Sequence, residues 1–244
     1  DVYKRQVLVL DHARRIAEKI RISGGGRCNF TNIHASPAQF LSNNPHFCKF
    51  ALRQYSQHDF IALIEKHGIA YHEKKLGQLF CDDNAQDVID MLLAECADVS
   101  AEVASNVTVE SVCELYGGGF GLNTSRGTIE TESLVIATGG LSIPKIGATG
   151  FGYDIARQFG LRLIDQRAGL VPLTFDDSLL ARCKALTGLS VDAEVGHDKT
   201  CFGEGLLFTH RGLSGPSILQ ISSYWRPGDE INIDLAPDAD MAML

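Results

Sequence analysis

The chain has 244 residues, 45% hydrophobic and 21% charged, enough apolar material for one large domain or for one domain with part of a second. Its 22 Lys and Arg against 30 Asp and Glu leave a formal charge of −8, a field that disfavours polyanions as partners except at a local basic patch. No apolar run approaches the ~20 residues of a membrane span, no charged-then-apolar leader opens the sequence, and seven widely spaced cysteines lack a C-x-x-C pair or a His at metal spacing. The expectation is a cytoplasmic protein with free thiols, no bound metal and no membrane partner.

The opening "DVYKRQ" has no helical or strand period and is expected to be non-native. "VLVLD" (Val7 to Asp11) follows, a short apolar run ending in a carboxylate, which predicts a parallel strand buried on both faces. "KIRI" reads as strand-like and leads into "SGGGRCNFTN", three glycines followed by an arginine, a cysteine and two asparagines. From Pro45 to Gly68 apolar residues recur at helical intervals, Ser56 and Asp59 resemble a capping box, and Gly68 is a C-terminal stop. A second helix is predicted from Ala85 to Cys96, capped by Asp83 or Asn84. Between Val107 and Glu132 the period drops to two, with "GGG" and "SRG" turns, which predicts a three-stranded antiparallel meander. "SLVIATGG" reads as an apolar strand ending in a glycine pair, followed by a Pro/Gly loop and the helix "FGYDIARQFG". After about Gly169 the texture changes to strands, "LVPLTF", "LSVDAEVG", "GLLFTHRG" and "EINIDL". One helix interrupts them after "LSGPS", with Ser214 as cap and Pro216 in its first turn. A boundary between 168 and 169 divides the chain into domains 1–168 and 169–244.

Three constellations bear on chemistry. A strand ending in Asp11 is the pattern that holds adenosine ribose hydroxyls in a dinucleotide fold, although an ordinary surface carboxylate gives the same pattern and no G-x-G-x-x-G loop precedes it. In Ser23, Gly24, Gly25, Gly26 and Arg27, consecutive small residues can aim backbone N–H groups at anionic oxygens, with Asn29, Thr31 and Asn32 adding donors and acceptors. A plain glycine-rich turn accounts for the run equally well, and no Lys-Ser/Thr follows to make it a P-loop. The strand into Ala137, Thr138, Gly139 and Gly140 brings backbone to a sheet's carboxyl edge, where open α/β folds bind ligands. His210 and Arg211 are the polar candidates of the second part, with His210 suited to proton relay or simply bonded to a carbonyl. Cys28 is either a reactive thiol or a small buried hydrophobe.

Taken together, "KIRISGGGRCNFTN", "LVIATGGLSIPKIGATGFGYDIARQFG" and "LLFTHRGLSGPSILQISSYW" resemble, in order and spacing from about Val7 onward, the BaiN/RdsA family of NAD(P)/FAD-dependent oxidoreductases, also called YhiN-like flavoproteins. The resemblance implies an α/β fold, a glutathione-reductase-like Rossmann-type FAD domain with an antiparallel meander and part of an inserted β-rich, barrel-like domain. It implies FAD as cofactor and NAD(P)H as electron donor, with hydride passed to an unsaturated acceptor, a steroid-like bile acid intermediate or an RNA uridine. By the same resemblance Asp11 holds the adenosine ribose and Gly24 to Arg27, with Asn29 and Thr31, line the flavin and pyrophosphate path. The backbone of Val109 meets the adenine, Ala137 to Gly140 close the cofactor site, and His210 to Gly215 face it. The family's phosphate-binding first βα unit and its C-terminal return are not in this sequence, so the chain as given is expected to hold FAD weakly or not at all, and its full-length parent tightly. A non-catalytic interaction module that kept the fold is the competing reading.

Overall fold

The run after Gln6 extends as expected, and in the computed structural model, which describes residues 5–237, it contributes strand β1 (Leu8–Leu10). Helix α1 (Glu18–Ile22) follows, and a 3₁₀ turn at Ser23–Gly26 leads into β2 (Asn29–Asn32). "KIRI" is therefore helical rather than strand-like, since Ile20 and Ile22 alternate with charges over too short a stretch to separate the two periods. Two helices fill the next segment, α2 (Lys49–Gln54) and α3 (Gln57–Lys66). The break between them is set by Ser56, whose extended backbone starts α3 and whose Oγ accepts the Asp59 N–H while the Asp59 carboxylate accepts the Ser56 N–H. Gly68, at φ 67°, ends α3 in the left-handed conformation.

Strands β3 (Tyr71–Glu73) and β4 (Gln78–Cys81) then form an antiparallel sheet in the order β2-β4-β3. Helix α4 (Ala85–Asp98) has Asn84 as its cap, the Asn84 Oδ1 accepting the Gln86 N–H at 2.7 Å. Its apolar face buries Ala85, Val88 and Met91 with Ile64 of α3, Cys28 and Cys81. Burying a side chain such as Ile64 completely contributes about 1.5–3 kcal/mol. The far ends of α3 and α4 are tied by the Glu95 carboxylate, 2.7 Å from both Lys66 Nζ and His67 Nε2.

Strand β5 (Glu102–Ala104) pairs parallel with β1, in register Leu8 to Glu102 and Leu10 to Ala104. The expected meander is present as β6 (Val109–Glu114), β7 (Phe120–Thr124) and β8 (Gly127–Thr131). Its inner face, Val112 and Leu122, packs on Ile155 of helix α5 (Phe151–Gln158), with Leu10 and Leu134 alongside. Two sequence expectations are corrected here. Val7, Leu8 and Val9 are exposed, so β1 is not covered on both faces, because β5 is its only strand neighbour among the described residues. "LVIATGG" is extended but unpaired among the described residues, with Val135 83% exposed; an apolar run becomes a strand only where a neighbouring edge takes its N–H and C=O groups.

Residues from Ile164 form a second compact unit. It contains β9 (Leu173–Thr174), α6 (Asp177–Cys183), the long hairpin β10 (Ser190–His197) and β11 (Thr200–Thr209), β12 (Gly212–Ser214), α7 (Pro216–Ile221) and β13 (Asn232–Asp234). The sheet order is β13-β10-β11-β12-β9, antiparallel throughout. Alternation along β10 and β11 sends Ala193, Val195, Leu206 and Phe208 to one face, where Ile218 and Ile221 of α7 close the core. Pro216 starts α7 as expected, while Gly215 rather than Ser214 occupies the cap position. Helix α6, capped by Asp176, was not anticipated from the sequence, because its seven residues hold too few turns for a helical period to stand out.

Candidate cofactor site

The turn after α1 is built from left-handed backbone. Gly24, Gly25 and Gly26 have φ of 58°, 68° and 90°, and Cys28 follows at 50°. A left-handed residue with a Cβ costs about 1–2 kcal/mol, so three glycines in a row make the turn accessible. Their surroundings differ. A Cβ on Gly24 would lie 2.7 Å from the Asn29 backbone nitrogen and 2.7 Å from a Phe80 ring carbon, so that glycine is required by packing. A Cβ on Gly25 or Gly26 would meet nothing within 4 Å. Their bare backbone faces open space, the arrangement a ligand approaching the main chain needs.

Below the turn lies an open cleft of about 280 Å³, bordered by Lys19, Ser23, Cys28 and Asn29, with Phe30 and Phe60 as apolar wall. The Ser23 hydroxyl donates to the Ile20 carbonyl at 2.9 Å, and the Ser23 carbonyl accepts the Cys28 N–H at 3.1 Å. The Cys28 thiol is buried, and desolvation pushes its pKa above the ordinary value despite a hydrogen bond with Ser23 that works the other way. Cys81, its neighbour in the same core, is pushed up to about 12 by desolvation first and by adjacent Cys28 and carboxylates after it. Both thiols are therefore protonated at neutral pH, and Cys28 has the environment of a packing residue rather than that of a nucleophile.

The two amides expected to face a ligand are engaged within the protein. The Asn29 amide, oriented by its surroundings, donates to the carbonyls of Thr31 at 3.1 Å and Leu79 at 3.2 Å. Asn32 donates to the Leu76 carbonyl at 2.9 Å and accepts the His34 N–H at 2.8 Å, fixing the crossing from β2 to the turn before β4. Thr31 sits half-buried in β2 opposite Leu79, and Arg27 gives its carbonyl to the Cys81 N–H. Arg27 and Asn29 are the exposed residues of this group.

Several distant segments converge on the carboxyl end of β1. Asp11 donates its N–H to Ala104 and gives its carbonyl to the Val107 N–H, which places β1 next to the start of β6 and therefore near Val109. One Asp11 carboxylate oxygen, Oδ1, accepts the Ala13 N–H at 2.9 Å, and Asp11 is only half-buried. The 137–140 segment wraps the start of α5: a Cβ on Gly152 would lie 2.8 Å from Thr138 Oγ1, and one on Gly140 would lie 2.7 Å from the Tyr153 hydroxyl. Ala137, Thr138 and Gly139 are exposed, and the space over Gly139 is open. Lys19 Nζ donates to Ser142 Oγ at 3.2 Å, joining α1 to this loop, and His12 lies against Gly147. Lys19, Phe60 and His12 were missed by sequence reasoning. Their only signal was position, a lysine one turn before the glycines and a histidine after the strand carboxylate.

His210 and Arg211 lie in the second unit as the two-residue turn between β11 and β12. Thr209 Oγ1 accepts the N–H groups of Arg211 and Gly212 at 3.2 and 3.1 Å, and the Arg211 carbonyl accepts the Phe175 N–H. Both side chains are exposed. Among the described residues no cluster of His, Cys, Asp or Glu could hold a metal ion, and no helix is long and apolar enough to cross a membrane.

The backbone of Gly25, Gly26 and Gly139 is open to a ligand, and Lys19, which borders the cleft, is tied to Ser142 in the loop after Gly139. The sequence profile of the HI0933-like protein Rossmann domain matches residues 2–204, and that of the HI0933-like protein barrel and H2TH domain matches residues 167–244. The chain is 52% identical over 97% of its length to a ribosomal RNA dihydrouridine synthase of Escherichia coli and 45% identical over 96% to one of Haemophilus influenzae. It is 24% identical over 98% of its length to a 3-dehydro-bile acid delta(4,6)-reductase of Clostridium scindens. It spans 59% of the length of each of the first two relatives and 60% of the third.

Proposed function

Since this chain belongs to the HI0933-like protein family, we propose that the protein carrying it is a flavin-dependent oxidoreductase that reduces a carbon–carbon double bond of uridine in ribosomal RNA, with NAD(P)H as electron donor. The flavin part of this reading is carried by the Gly24–Gly26 turn, whose last two glycines leave main chain open to a ligand. The acceptor part is supported by the 52% and 45% identities to the two RNA enzymes, against 24% to the bile acid reductase.

In this proposal Asp11 accepts hydrogen bonds from the adenosine ribose hydroxyls, and the backbone of Val109 borders the adenine. Ser23 to Arg27 receive the pyrophosphate and ring edge through backbone N–H groups and the Arg27 guanidinium. Asn29, Thr31 and Asn32 hold β2 and its turn in place behind them. Ala137 to Gly140 close the other side, and Lys19, tied to Ser142, links the two walls. FAD, when bound, would supply the two-electron chemistry, taking a hydride from the nicotinamide and passing it on. Reduction of the uridine C5–C6 bond adds that hydride and one proton; exposed His210 is the proposed proton source, and Arg211 a phosphate contact.

The test is made on the full-length protein. It is expected to purify yellow, to be bleached by NADH or NADPH, and to add two hydrogens to uridine in unmodified ribosomal RNA, read by nucleoside mass spectrometry. A folded but colourless protein would establish a non-catalytic module instead. A yellow protein that reduces only steroid-like enones would move the acceptor to the bile acid class.

A further inference from the structure

Residues 19–58 form a forty-residue stretch with no Asp or Glu, in a chain that carries 30 of them among 244 residues, while it holds Lys19, Arg21, Arg27, Lys49 and Arg53. Within it, four aromatic side chains between Phe40 and Tyr55 are exposed. Phe50 is 74% exposed, Phe47 56%, Tyr55 52% and Phe40 41%. Large rings are ordinarily the most deeply packed side chains, and a cluster of exposed ones marks a binding surface.

Cys48 is buried and Leu52, one turn later, is half-buried, so α2 is anchored by one face and presents Lys49, Phe50 and Arg53 on the others. The approach to α2 is set by hydrogen bonds of Ser42 Oγ to the Asn44 N–H and of Asn44 Oδ1 to the His46 N–H. Lys49 and Arg53 are one helical turn apart, both exposed, and neither lies within ion-pair distance of a carboxylate among the described residues. Rings interspersed with cations, in a stretch of sequence without Asp or Glu, complement a single-stranded nucleic acid. Its bases stack on aromatic faces and its phosphates need positive charge. Protein interfaces are also rich in aromatic residues and Arg, so the rings alone do not choose the partner; the forty residues without an Asp or Glu favour a polyanion.

We propose that Phe40–Tyr55 is the docking surface for single-stranded RNA, with Phe47, Phe50 and Tyr55 stacking bases and Lys49 and Arg53 holding phosphates. The local basic field thus overrides the chain's net charge of −8 at the surface where the RNA lies. The proposal rests on the reading that the acceptor is a uridine of ribosomal RNA, and adds to it where that RNA is gripped.

The test uses the full-length flavoprotein and a fluorescein-labelled oligouridylate, with binding read by anisotropy in the absence of NAD(P)H. Phe50→Ala and Tyr55→Ala are each expected to weaken binding about tenfold. Lys49→Gln with Arg53→Gln is expected to reduce the slope of log K against log salt by about 1.4, the value for two phosphate contacts on a single strand. Flavin content and nicotinamide-driven reduction of dichlorophenolindophenol should stay unchanged, which shows that the variants are folded. Binding within twofold of the parent in all variants, or loss of a dimer by sedimentation with RNA binding intact, overturns the proposal. If the variants lose RNA affinity but the parent reduces no uridine, the docking surface stands and the proposed reaction falls. If uridine is reduced with unchanged KM in the variants, the reverse holds.

Discussion

Gly24 and Gly25 stand side by side with the same left-handed backbone, yet they serve different ends. A Cβ on Gly24 collides with the Asn29 backbone and the Phe80 ring, whereas one on Gly25 points into open space. Gly24→Ala should therefore lower stability by about 2–4 kcal/mol, left-handed strain plus overpacking, measured by urea unfolding. Gly25→Ala should cost only about 1–2 kcal/mol of strain but lower the flavin content of the full-length protein. Equal flavin content in the Gly25 variant and its parent would show that the open backbone has no ligand. Cys81 gives a second residue-scale prediction. Its folded pKa, about 12, lies above the ordinary 9.0, so the unfolded chain loses this proton first as pH rises. The stability contribution is complete below pH 9.0 and is lost progressively toward pH 12. The urea midpoint should fall across that window, and fall less in Cys81→Ala. The glycine run was legible in the sequence as bare backbone; which glycine serves packing and which faces a ligand was not, because Phe80 reaches Gly24 from a strand more than fifty residues away.

At the scale of elements, local signals carried most of the information wherever a helix cap or a period of two was present. Ser56 with Asp59 and the stop at Gly68 bound α3, and Asn84 bounds α4, because capping is decided within four residues. Asn84→Ala should destabilise the protein by about 1 kcal/mol in chemical denaturation, since it leaves the Gln86 N–H without its partner. An unchanged midpoint would mean that water replaces the cap without loss. The meander was equally legible, its turns marked by glycine and its faces by alternation. "LVIATGG" was misread because a buried parallel strand is defined by neighbours that the run itself cannot announce. The failure at "KIRI" has another cause: five residues are too few to distinguish two periods.

Over the whole molecule, the cores of the two units draw on separate residues, one closing on Ile64, Val88 and Met91 and another on Val195, Leu206, Ile218 and Ile221. Between them, Leu161 to Gly169 is almost entirely exposed and carries no regular structure. Limited trypsin digestion should cut first after Arg162 or Arg167 and leave two resistant pieces, because a protease needs extended, accessible chain. First cleavage within β10 or α4 would show that the units are not independent cores. The sequence expectation is a change of texture near residue 169; the second compact unit begins at Ile164.

By itself the sequence determined the mixed α/β class, the meander, the caps of α3 and α4, and the three blocks that tie it to a flavoprotein family, all features written in short windows of residue types. Tertiary structure alone decided that Cys28 is a protonated core thiol, that Asn29 and Asn32 spend their amides on neighbouring carbonyls, and that Lys19 and Ser142 link α1 to the loop before α5. It also decided that four rings between Phe40 and Tyr55 face solvent, where their apolar character alone would have placed them inside. The physical reason is the same in each case. Burial and hydrogen-bond partnership are properties of contacts between segments far apart in the chain, and no local pattern records them.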